Sequence, residues 1–234
     1  MVPESALRIL RDAELANRQP VLWGSNGVWL VELLHEGVAA GRAIYKPRAG
    51  EAPLWDFPDG TLYRREYAAY LTSRALGWAF VPPTVIRDGP LGVGSVQWYI
   101  EHESGLTALR DCLLDQLRLI ALFDYLTNNA DRKAAHCLLD RNGRVWAIDH
   151  GLTFHCEPKQ RTVLSQFFGK PVPAEELARL RRWRNDTAAV TRLRRALGDL
   201  LAPAEVDDFF KRLDRVLERG VIPEGRGRSA WYWW

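Results

Sequence analysis

Val206, Phe209, Phe210, Leu213, Val216 and Leu217 recur at intervals of three and four, so the spacing predicts a helix over 203–219 with one apolar face and Gly220 as its stop. The same periodicity runs through Leu62, Tyr67, Tyr70 and Leu71 up to Gly77, and marks two further helices near 174–184 and 187–200. In "LTALRDCLLDQLRLIALFDYLTNN" the apolar positions occupy more than one side, the pattern of a helix buried all round. Near the N-terminus, "MVPESALRILRDAEL" reads as an amphipathic helix. After it, β-branched and aromatic runs broken by Gly-Ser-Asn-Gly and Glu-Gly predict antiparallel strands near 20–23, 28–34 and 41–46. Two more strands are expected in "FVPPTVIRD" and "GVGSVQWYIEHES". The whole predicts an α+β chain: residues 1–103 form a lobe with an antiparallel sheet and one helix, and 104–234 form a mostly helical lobe.

Between the buried helix and the last three lies "NNADRKAAHCLLDRNGRVWAIDHG", residues 128–151. Asn142-Gly143 is a two-residue hairpin signal, because a type I′ turn needs positive φ at both central positions. In that register Arg141 faces Arg144, and the count along both strands places His136 opposite Asp149. Asp131 stands a few residues upstream in a loop. Such a pair is equally at home as a structural hydrogen bond, with Asp131 bridging Arg132 or capping a turn. Three features elsewhere bear on the choice. Gly24-Ser25-Asn26-Gly27 is a tight connection whose amides could approach phosphate oxygens, although it also fits an ordinary turn. Lys46 ends the strand "RAIYK", and Glu66 sits inside the helix "YRREYAAYL". Glycine turn, strand lysine, helix glutamate, loop aspartate and a second aspartate supply the parts that phosphoryl transfer requires.

Composition narrows the class without choosing a substrate. With 234 residues and 47% hydrophobic content the chain can bury a core, as one domain or as two small lobes around a cleft. A net charge of +3 is too mild to argue for nucleic acid. Three cysteines without CxxC spacing suggest neither a disulfide framework nor a thiolate zinc site, so a cytoplasmic location is expected. No stretch approaches the ~20 apolar residues of a membrane span, and none reads as a signal peptide. The C-terminal "GRGRSAWYWW" combines arginines with Trp231, Trp233 and Trp234, residue types favoured at bilayer surfaces that also suit packing back on the protein. Membrane contact is therefore expected to be peripheral at most.

"FDYLTNNADRKAAH", "AIDHGLTF", "YKPRAG" and "REYAAYLTSRALGWAFVPPT" together make the chain resemble the phosphatidylinositol 3-/4-kinase superfamily, nearest the type II phosphatidylinositol 4-kinases, over roughly 20–155. It is also similar to a group of small actinobacterial kinase-like proteins and to the HipA-type serine kinases. The resemblance implies a two-lobed protein-kinase-like fold that uses ATP with Mg²⁺ or Mn²⁺ and an unidentified phosphate acceptor. It assigns Asp131 as catalytic base or hydroxyl orienter and Asp149 as metal ligand. Lys46 becomes the contact to the α- and β-phosphates, Glu66 its partner, and Gly24, Ser25, Asn26 and Gly27 the phosphate-covering loop. Tyr99, Ile100, Glu101 and His102 become the segment that meets adenine. Where the family carries asparagine as second metal ligand, five residues after the catalytic aspartate, this chain has His136. An imidazole in that place implies a shift toward Mn²⁺ or weakened catalysis. The function implied is transfer of the ATP γ-phosphate to a hydroxyl of a lipid, small molecule or protein. The alternatives are a nucleotide-binding pseudokinase and a HipA-like serine/threonine protein kinase.

Overall fold

The computed structural model describes residues 5–22, 26–102 and 113–225. Gly24, Ser25, the C-terminal Trp231, Trp233 and Trp234, and the expected lobe boundary at 103–104 lie outside the described residues. Helix α1 (Ala6–Asp12) ends at Ala13, whose extended backbone leads into β1 (Glu14–Pro20). The first strand thus precedes the expected 20–23. Only Leu15 of β1 is buried, so this sheet-edge strand carries almost no hydrophobic alternation and is held by main-chain pairing to β2 (Trp29–His35). Between β2 and β3 (Val38–Pro47), Glu36 and Gly37 both have positive φ, 52° and 78°, and His35 pairs with Val38. This is the two-residue hairpin geometry, and it starts β3 three residues before the expected 41.

Helix α2 (Leu62–Ala75) leads to β4 (Thr84–Gly89) and β5 (Gly92–Trp98), which complete an antiparallel sheet of order β1-β2-β3-β5-β4. Val31, Ala43, Tyr45, Val85 and Val96 form its core, with Ile9 and Leu10 of α1 packed against them. The second half is helical: α3 (Leu114–Thr127), then α4 (Ala174–Asn185), α5 (Thr187–Gly198) and α6 (Pro203–Arg219). In α6 the predicted stripe is buried through Val206, Phe209, Phe210, Leu213 and Val216. Pro203 opens the helix, and Gly220 closes it in the left-handed region at φ 67°. Both ends therefore follow from local chemistry. Helix α3 is buried from Ile120 to Thr127 and stops at Asn128, which adopts φ 52°. Among the described residues no helix is long and apolar enough to cross a membrane.

A short hairpin, β6 (Cys137–Leu139) and β7 (Val145–Ala147), sits between the sheet and the helices. Its register differs by one residue from the expected one. Leu139 pairs with Val145 and Cys137 with Ala147, which sets His136 opposite Ile148. Asp140 causes the shift. Its Oδ1 accepts the amides of Asn142 (2.8 Å) and Arg144 (3.0 Å), and Gly143 donates to the Asp140 carbonyl at 3.0 Å. The result is a three-residue loop with only Gly143 left-handed, at φ 75°. The observed register gives each face one core: Cys137, Val145 and Ala147 join the helical cluster, and Leu138 and Trp146 join the sheet. A one-residue slip would exchange those faces.

Candidate active site

The loop before the hairpin is built on two fully buried charges. Asp124, on the last turn of α3, is gripped by Arg132 through Nε to Oδ2 and Nη2 to Oδ1, both 2.9 Å. Such a fork matches a carboxylate in two parallel bonds. Arg132 Nη1 also donates to the carbonyls of Ile148 (2.8 Å) and His136 (3.2 Å), and Nη2 lies 2.8 Å from Nε2 of His150. Although burial works against its charge, Asp124 holds the guanidinium above its ordinary value. Asn129 extends the frame: its Nδ2 donates to Asp124 and its Oδ1 accepts the Asp131 amide, both at 2.9 Å. One ion pair thus fixes both the loop that carries Asp131 and the strand end that carries Asp149.

The sheet contributes Lys46 at the end of β3, and α2 contributes Glu66. Lys46 Nζ bonds Glu66 Oε1 and also Asp149 Oδ1, the latter at 2.8 Å. Glu66 Oε2 accepts the His150 amide at 3.0 Å, so the glutamate joins the sheet side to the helical side. Burial opposes the charge on Lys46, yet Asp149 and Glu66 raise its pKa above the ordinary value. Lys46 in turn holds Asp149 well below the usual carboxylate range, while burial pushes Glu66 up.

His136 lies 3.3 Å from Asp149, Nε2 to Oδ2, although the ladder does not oppose them. Asp149 has left the strand with φ 61°, and that left-handed step breaks the alternation that would aim its side chain to the other face. Nδ1 of His136 is 2.9 Å from the Asp131 carbonyl, which can only accept; its other neighbour, the Lys133 amide, is longer at 3.4 Å. The proton therefore belongs on Nδ1. Burial lowers the pKa of His136, so the ring is neutral near pH 7 and Nε2 turns a lone pair toward a carboxylate. Two acceptors at that separation favour a cation between them. One donor atom each from Asp131, His136 and Asp149 lies within 4.8 Å of the others. Two carboxylates and a neutral imidazole held by a carbonyl on its other nitrogen fit a divalent metal.

The remaining expected residues are placed with varying freedom. Gly27 donates its amide to Gly50 at 2.7 Å, and Asn26 Oδ1 accepts from Ala52 at 2.8 Å, so this end of the loop is tied to the segment after β3. A Cβ on Gly50 would stand 2.7 Å from the Gly27 carbonyl, so the two backbones need glycine to meet. Tyr99 gives its amide to Arg42 (2.9 Å) and His102 Nδ1 contacts the Ile100 carbonyl (2.8 Å), while Glu101 pairs with Arg42. Tyr99, Ile100 and Glu101 line a 240 Å³ cleft against Asp140, Asn142 and Trp146 of the hairpin.

No family model matches the chain. Over an alignment 262 positions long it is 36% identical to Protein Rv2133c of Mycobacterium tuberculosis (strain ATCC 25618 / H37Rv), covering 96% of this chain and 93% of that protein. The chain belongs to the family of Protein Rv2133c. Solved structures place this Rv2133c-family chain among protein-kinase-like folds. The Golgi casein kinase with Mn/ADP bound aligns at TM-score 0.63 and 16% identity, over 96% of this chain and 77% of that one. Hydra Fam20 with sugar gives 0.65 and 15%, over 92% and 86%. The Helicobacter pylori proinflammatory kinase CtkA gives 0.56 and 12%, over 91% and 94%.

Asp124, Asn129 and His150 were not expected to matter, and Arg132, expected as a bridge to Asp131, pairs with Asp124 instead, while Asp131 meets Lys133 at 2.9 Å. A signal for Asp124 exists: a lone carboxylate in the apolar, buried half of a helix, Ile120–Thr127, must have a partner.

Proposed function

We propose that this Rv2133c-family protein is a metal-dependent phosphotransferase that moves the γ-phosphate of ATP to an acceptor hydroxyl. The observation that carries this reading is the meeting of Asp131, His136 and Asp149 within 4.8 Å, beside a lysine held by Glu66 and Asp149. The kinase-like fold supports it. Asp149 and His136, with Asp131 alongside, are the residues that would hold Mg²⁺ or Mn²⁺, and the metal supplies charge neutralisation at the phosphate oxygens. Lys46 binds the α- and β-phosphates, positioned by Glu66. The segment Tyr99–His102 lies against adenine, and Asn26 and Gly27 bring the phosphate-covering loop back to the sheet. Asp131 accepts the proton of the attacking hydroxyl as the acceptor oxygen bonds to the γ-phosphorus and the bond to the β-phosphate oxygen breaks. The acceptor is a hydroxyl on a lipid, small molecule or protein.

Metal-dependent ATP consumption by the purified protein tests the reading. Replacing Asp131 with Ala is expected to lower turnover by ~10²–10⁴-fold, the span of general acid–base contributions, with nucleotide affinity retained. Wild-type protein that binds nucleotide without consuming it in any metal would instead make it a pseudokinase.

A further inference from the structure

Beyond Asn128, α6 and the segment around 156–160 line a cavity of 670 Å³. Four of its lining side chains, Lys211, Arg212, Arg215 and Arg219, are cationic, against the carboxylates of Asp208 and Glu224. Asp208 is already paired with Lys211 at 2.7 Å. Arg212 donates Nε to the Leu126 carbonyl at 2.7 Å, yet its Nη2 is buried and has no hydrogen-bond partner among the described residues. Beside it Gln160, only 7% exposed, has no hydrogen-bond partner for either amide atom among the described residues. Burial lowers Arg212 to about 10, the response of a guanidinium that lacks a matching anion. Unsatisfied buried donors are uncommon in folded proteins, and a group so placed points to a ligand that completes it.

We infer that this cavity is a binding site for a small phosphate-bearing ligand, with Arg212 and Arg215 holding the oxyanion and Gln160 bonding the polar group next to it. The volume suits a molecule of metabolite size, and the cavity is separate from the cluster around Asp149. Asn128 holds the cavity wall together. It lines the cavity, and its side chain also holds the carbonyls of His155 (2.7 Å) and Glu157 (2.6 Å) and the amide of Lys159 (2.9 Å). The inference stands independently of the phosphotransferase reading.

Cys156, an exposed thiol on the cavity wall, provides a local readout. The full chain is alkylated with iodoacetamide in rising inorganic phosphate, with chloride at matched ionic strength as control, and labelling of Cys156 is followed by mass spectrometry. An oxyanion in the cavity blocks access and disfavours the thiolate, so phosphate is expected to slow labelling. The Lys46→Met variant should keep this protection, whereas Arg212→Gln should need at least ~10-fold more phosphate, the loss of a charged hydrogen bond. Arg215→Gln, at the rim, should need ~3-fold more or above and tests the site should Arg212→Gln fail to fold. Equal protection in wild type and both arginine variants would overturn the inference. So would no protection beyond the chloride control, or protection abolished by Lys46→Met alone.

Discussion

Two clusters of charge lie a few residues apart and have opposite character. Asp124 and Arg132 are wholly buried, bonded in a fork and surrounded by further acceptors. Lys46, Asp149, His136 and Asp131 are partly open, and one donor atom from each of the last three lies within 4.8 Å of the others. The first cluster is a frame, where a carboxylate and a guanidinium satisfy each other. In the second, full mutual satisfaction is withheld, as expected where a ligand completes the set. The contrast teaches that conspicuous carboxylates can have different work within eight residues of one another, and that burial with pairing distinguishes them.

The largest test of this comparison is stability. Asp124→Ala leaves Arg132 buried and unpaired, and chemical denaturation should show a loss of about 3–5 kcal/mol or failure to fold. Asp149→Asn removes a half-exposed charge, so its cost should stay within ~1 kcal/mol while metal-dependent phosphotransfer disappears. If the two variants were equally unstable, the frame and the site would not be separate.

The second test uses pH on metal-free protein. Burial holds His150 well below the ordinary imidazole value, and His136 is lowered too. As pH falls through about 6.5 the unfolded chain takes up these protons before the folded one, so stability is full above that pH and declines below it. His150→Gln keeps an acceptor for Arg132 and removes one of the protons. The decline below about pH 6 should become shallower by ~1.4 kcal/mol per pH unit, read from denaturation midpoints. An unchanged slope would mean that His150 is protonated in the fold.

The smallest expected effect concerns the hairpin. Gly143→Ala meets no neighbouring atom but must hold φ 75°, so ~1 kcal/mol should be lost through backbone strain alone. Asn142→Gly should be near neutral, because Asn142 does not require the left-handed region in the observed turn.

How much of this was legible depends on the range of the interaction. The helices from 174 onward follow from a 3.6-residue stripe, a proline and a glycine, all local, and their bounds match the spacing closely. Strand β1 did not announce itself, because seven largely exposed residues on a sheet edge carry no alternation. The hairpin's existence was readable from Asn142-Gly143, but its register was set by the Asp140 carboxylate, which favours the three-residue loop. His136 and Asp149 still meet, through a left-handed step that periodicity does not reveal. The residues assigned by resemblance, Lys46, Glu66 and Asp149, do come together. Their frame was not legible, because Asp124 and Arg132 reveal their pairing only once α3 and the loop after it are folded together.

The proposed function puts one metal between His136 and Asp149, with Asp131 alongside, bound together with nucleotide beside Lys46. Electron-spin-echo spectroscopy on Mn²⁺ titrated with ADP tests it most directly, since coupling to an imidazole nitrogen reports His136 itself. That nitrogen coupling is expected in wild-type protein, with its disappearance in His136→Asn while metal stays bound, and with loss of ADP-dependent Mn²⁺ binding in Asp149→Asn. Mn²⁺·ADP that binds equally to wild type and Asp149→Asn, with no nitrogen coupling in either, would contradict it.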